Sequence, residues 1–129
     1  MQDENTERWQ MKMNGSKTYE LFKDEELRIA ELIQQRRLQI LVHSCIYYAL
    51  NKNIISDATW DKWARELVQL QKDYPKIAKE VIYADAFLGF DASTGFDLPI
   101  HDDWVMMKAK QLCRLHTAEK KTIKKGRLF

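Results

Sequence analysis

Glycine and proline are scarce in this chain, four and two among 129 residues. A turn-rich β architecture draws heavily on both, so their scarcity favours helices. Cysteine occurs only at Cys45 and Cys113, far apart and outside any metal-ligand spacing. That excludes a disulfide framework and a structural zinc site, and both read as small buried apolar side chains. His43, His101 and His116 are equally dispersed. Asp85, Asp91 and Asp97 recur without the pattern of a calcium loop, so no metal is expected. No run of eighteen apolar residues is present, which removes a transmembrane helix and a membrane partner from consideration. The opening "MQDENTERWQMKMNGSK" has no apolar signal-peptide core, and the expected location is the cytoplasm.

What is present suits one hydrophobic core. Hydrophobic residues make up 45% and charged residues 31%, the mixture of a soluble domain of this length. The net charge of +2 hides an asymmetry. From Lys108 onward eight Lys and Arg face one acid, Glu119, so that end carries +7 and the remainder −5. Lys120, Lys121, Lys124, Lys125 and Arg127 form a basic tail suited to weak, sequence-independent nucleic-acid contact. A solvated helix end accounts for the same charges.

Residues 1–17 are polar and aperiodic apart from Trp9, Met11 and Met13, as in a flexible arm. The spacing from Asp24 to Leu50 predicts a long helix with acids in its first turn, apolar nearly all round from Ile40. "NKNIIS" breaks it, and Ser56 or Asp57 can cap a second helix with Trp60, Trp63, Ala64, Leu67, Leu70 and Tyr74 on its apolar stripe. Pro75 can open a short helix over "PKIAKEVIYADAF". "LGFDASTGFDLPIH" reads as an irregular loop, and Asp102 or Asp103 can cap a last helix that buries Val105, Ala109, Leu112 and Cys113. The expectation is an all-α fold, a small helical bundle built on a helical hairpin. Its domain spans 18–118, between the arm and a basic tail at 119–129.

One constellation carries chemistry. Asp57, Trp60 and Asp61 share a face at the start of the second helix, because positions three and four apart line up. Tyr47 and Tyr48 end the preceding helix, and a short corner brings them near. Aromatic faces with carboxylates suit a flat cationic ring such as a pyridinium. Carboxylates also accept hydrogen bonds from an amide or from ribose hydroxyls. A helix cap and a core stripe account for the same residues.

The order of these residues resembles the N-terminal Ia module of NAD-dependent bacterial DNA ligases. The matching positions from Tyr47 to Pro75 are Tyr47, Tyr48, Asn51, Ile55, Ser56, Asp57, Trp60, Asp61, Glu66, Leu67, Leu70, Tyr74 and Pro75. In that family the module grips the nicotinamide mononucleotide half of NAD. The pyrophosphate is thereby oriented for a lysine in the neighbouring nucleotidyltransferase domain. The resemblance implies that Tyr47 and Trp60 sandwich the nicotinamide, and that Tyr48, Asp57 and Asp61 hold amide, ribose or phosphate-side groups. Four positions depart from the family pattern. Trp60 stands for the usual Tyr, Asn51 for Asp, Asn53 for a frequent Pro and Gln71 for Glu.

The family's Lys-x-Asp-Gly nucleophile is absent, as is the length for a nucleotidyltransferase domain, so the chain alone is expected not to be an enzyme. Two function classes follow. The first is a non-catalytic module that binds nicotinamide mononucleotide or NAD, acting as a sensor or with a separate protein partner. The alternative is a phage or mobile-element interaction protein that uses the same scaffold to bind and modulate a host protein or nucleic acid.

Overall fold

The computed structural model describes residues 24–124, with side chains as far as Ala118. Among the described residues the regular structure is helical: α1 (Asp24–Tyr48), α2 (Asp57–Asp73), α3 (Pro75–Glu80) and α4 (Asp103–Lys124). The all-α bundle expected from the sequence is what the described residues form. The arm expected at 1–17 lies outside the described residues, as do Lys125, Arg127 and the side chains of Lys120, Lys121 and Lys124. The backbone of α4 continues to Lys124, across the 118/119 position where the tail was expected to start.

α1 is the central element. Asp24, Glu25 and Glu26 stand in its first turn, where carboxylates offset the partial positive charge of unpaired backbone N–H groups. Farther along, Ile33, Ile40, Leu41 and Cys45 are completely buried. Each apolar side chain of this size contributes about 1.5–3 kcal/mol when fully removed from water. The helix ends at two exposed tyrosines, and Asn51 adopts a left-handed φ of 54° that asparagine tolerates better than most residues. Lys52 N–H then reaches back to the Ile46 carbonyl at 2.9 Å, reversing the chain.

Ser56 caps α2, its hydroxyl accepting from the Thr59 N–H at 3.1 Å. The α2 stripe delivers Ala64 and Leu67 to the core, whereas Trp60 and Trp63 are half-buried against it. Arg36 Nε donates to Glu66 at 2.8 Å and ties α1 to α2 on the outside of the hairpin. Asp102 opens α4 by accepting from the Val105 N–H at 3.4 Å. Val105 and Ala109 are fully buried, while Leu112 and Cys113 are half-buried along the core's edge.

The third helix is shorter than the periodicity from Pro75 to Phe87 suggests. α3 ends at Glu80, Val81 is extended, Tyr83 has a φ of 68°, and turns occupy 82–89. The reason is Arg37, a charge at 2% exposure inside α1. Its guanidinium donates to the carbonyls of Ala78 at 3.0 Å, Val81 at 2.9 Å and Ile82 at 3.1 Å. Such a fork gathers carbonyls that a continued helix would have used along its own axis. Gln71 Oε1 takes two further bonds, from Nε at 2.9 Å and Nη2 at 2.7 Å. The Phe87 ring lies 5.7 Å from the guanidinium carbon. Burial lowers the Arg37 pKa to about 10, which leaves it charged at neutral pH.

Candidate functional site

The α1–α2 corner and the loop after α3 enclose an open cleft of about 530 Å³. All five residues singled out in the sequence line it: Tyr47 and Tyr48 from the end of α1, and Asp57, Trp60 and Asp61 from the first turns of α2. The corner also supplies Asn53, Ile55, Ser56 and Ala58. Tyr47 and Tyr48 meet edge to face, with ring centroids 4.9 Å apart. No lysine or arginine is among the lining residues. The fixed charges on the cleft are therefore the carboxylates of Asp57 and Asp61, the latter shared with Arg65 at 3.0 Å. A cation meets an attractive field there.

Trp60 is pinned at its edges. Its Nε1 donates to the hydroxyl of buried Ser44 at 3.3 Å, and Phe90 packs edge to face at 6.4 Å. Ser44 is a polar residue that sequence reading passed over inside an apolar run. A further wall was also missed: Ala92, Ser93 and Thr94 line the cleft from "FDASTGFD", part of the stretch that the sequence marks only as an irregular loop. A dense set of small hydroxyl residues beside glycine was the available signal. Tyr48 Oη lies 3.0 Å from Thr94 Oγ1, and Phe96 packs on the Tyr48 ring at 5.3 Å.

Residues 26–80 match the family described as DNA ligase-like, N-terminal NAD+-binding domain. The resemblance read from the sequence is thereby shown over α1, α2 and α3. Similar proteins include a DNA ligase of Bacteroides fragilis, 39% identical over 54 residues, which is 42% of this chain and 8% of that ligase. A DNA ligase of Anoxybacillus flavithermus is 43% identical over 53 residues, 41% of this chain and 7% of the other. One from Thermotoga petrophila is 35% identical over 49 residues, 38% and 7% of the two chains. The chain thus spans less than a tenth of the length of these relatives. No solved structure matches it. The five cleft residues fall inside the matched segment, and the Ala92–Thr94 wall and α4 fall outside it. Among the described residues no three His, Cys, Asp or Glu side chains gather to hold a metal ion, and no helix is long and apolar enough to cross a membrane.

His43 lines the cleft beside Ser44, its ring tilted against Trp63 at a centroid distance of 5.7 Å. Its Nδ1 is buried without a hydrogen-bond partner among the described residues. Burial lowers its pKa from the ordinary 6.5, since desolvation penalises the charged ring. The unfolded chain therefore binds a proton more readily than the folded one. Stability should be full above pH 6.5 and fall as the pH drops from there toward the depressed folded value. Urea unfolding at pH 7.5 and 5.5 checks this: the wild type loses stability on acidification, and His43→Phe flattens the loss.

Proposed function

We propose that this chain is a non-catalytic binding module for nicotinamide mononucleotide or NAD, acting with a separate partner protein. The supporting observation is the convergence of Tyr47, Tyr48, Asp57, Trp60 and Asp61 on one open cleft within the segment that matches an NAD+-binding domain. The chemistry fits the nicotinamide ring of this ligand. Aromatic faces attract a pyridinium ring, and two carboxylates offset its charge without a competing cation on the lining. The carboxylates and the backbone around Ser56 have acceptors for an amide and for sugar hydroxyls. Adenylation requires an activated lysine, and the chain has no Lys-x-Asp-Gly motif to supply one.

Titration of nicotinamide mononucleotide and NAD by calorimetry and tryptophan fluorescence tests the reading, because Trp60 lies in the cleft. Saturable binding of both, with NAD recovered intact, is the expected result. Silence at millimolar ligand turns the assignment toward the interaction-protein alternative. An AMP adduct on the protein, seen as a mass increase, overturns the non-catalytic part.

A further inference from the structure

The cleft has a wall that the family match does not account for, since that match ends at residue 80 and Ala92, Ser93 and Thr94 also line the cleft. This wall is built to a fixed shape. Asp91 Oδ1 accepts from both the Ser93 N–H at 3.0 Å and the Ser93 hydroxyl at 2.6 Å. These two bonds hold the Asp91 carboxyl below its usual pKa. Thr94 Oγ1 accepts from the Phe96 N–H at 3.1 Å. Ala92 is held at a φ of 70°, a conformation that a residue with a Cβ adopts only when its surroundings impose it. Gly95 presses the loop onto α1 so closely that a Cβ there would fall on Ser44 Oγ and lie 3.4 Å from the Trp60 ring. The loop is therefore docked against the same serine that anchors Trp60.

The donors and acceptors on the wall set what it offers a ligand. The Ser93 hydroxyl spends its only proton on Asp91, so toward a ligand in the cleft it can only accept. Thr94 is bonded to Tyr48 and to the Phe96 N–H, which makes it a strut for the tyrosine rather than a free contact. Phe96 supports that same ring on its edge. An acceptor on the same cleft as these aromatic and carboxylate groups suits the hydroxyls of a sugar attached to the stacked ring.

Resting on the nucleotide reading above, we propose that the Asp91–Phe96 loop is the sugar-reading wall of the cleft: Ser93 accepts a ribose hydroxyl, and Thr94 positions Tyr48 against the ring. The loop thus makes the cleft select a ribosylated pyridinium over the bare ring.

Calorimetry with nicotinamide mononucleotide and with 1-methylnicotinamide, which keeps the cationic ring and lacks the sugar, separates the two roles. Ser93→Ala should weaken the mononucleotide about 3- to 10-fold, the worth of one hydrogen bond, and leave 1-methylnicotinamide unchanged. Thr94→Val should weaken both ligands, with Thr94→Ser restoring them, because only the hydroxyl is needed to hold Tyr48. Thermal melts of each variant establish that it is folded. If the wild type binds the mononucleotide and the Ser93 and Thr94 variants bind it equally well, the loop assignment falls and the module assignment stands. Equal weakening of both ligands by Ser93→Ala also overturns sugar reading. A wild type that binds neither ligand overturns the nucleotide reading itself, and this inference with it.

Discussion

Arg37→Ala is expected to destabilise the domain by about 3–5 kcal/mol, the combined effect of a core cavity and carbonyls stripped of their donor. The expectation follows from position. Arg37 is fully enclosed and serves the carbonyls of Ala78, Val81 and Ile82 together with Gln71. It is the junction at which the chain stops being α3 and starts toward the cleft loop. Lysine does not substitute, since a single ammonium cannot span the fork that meets Gln71 twice while reaching three carbonyls. Arg37→Lys should therefore recover only a minority of the loss. Urea unfolding checks both variants: the midpoint falls and the slope stays constant if the native state loses stability without changing its extent. A loss under about 1 kcal/mol for alanine would show that the turn region is held by Phe87 and Val81 burial instead.

How far such features could be read from the sequence depends on the range of the interactions behind them. The hairpin was legible because its causes are local. Acids at 24–26, Ser56 as a cap, Pro75 at the first turn of α3 and a 3.6-residue stripe in α2 each act within one or two turns of chain. The five cleft residues were legible for the same reason, being grouped around one short corner. The premature end of α3 was not, because its cause is a guanidinium more than forty positions upstream. In sequence, Arg37 looks like one basic residue in "QQRRLQ", and nothing distinguishes it from Arg36, which forms a partly exposed ion pair with Glu66. The loop wall was illegible in a similar way. The hydroxyls of "ASTG" are unremarkable until Gly95 sets them against Ser44 and Trp60, contacts across 51 and 35 positions of chain. The substitution of Gln71 for the family's Glu finds its reason only there too. Its amide accepts from Arg37 and donates to the Phe87 carbonyl at 3.4 Å, and an ionised carboxylate has no proton for the second bond.

The carboxylates of the cleft should separate binding from folding. Asp57→Asn with Asp61→Asn keeps the shape of both side chains and removes the two negative charges on the lining. The folded state loses little. Asp61 gives up a surface pair with Arg65, both groups being substantially exposed, worth at most about 0.5 kcal/mol. Asp57 gives up its interaction with the α2 N-terminus, about 0.3–1 kcal/mol, while the Ser56 cap remains. A cationic ligand loses more, since the two charges act on it together and no lysine or arginine on the lining opposes them. Affinity for 1-methylnicotinamide is expected to drop roughly 10- to 50-fold, about 1.4–2.3 kcal/mol. Neutral nicotinamide, which has the same ring and amide, should change only slightly, because stacking on Tyr47 and Trp60 does not depend on the carboxylates. The contrast between the two ligands is the measurement that decides, and raising the salt should narrow it in the wild type by screening the exposed carboxylates. Equal affinity of wild type and double variant for the cation would leave aromatic stacking as the sole attraction. Unfolding of the double variant would mean that Asp57 and Asp61 hold the corner rather than the ligand.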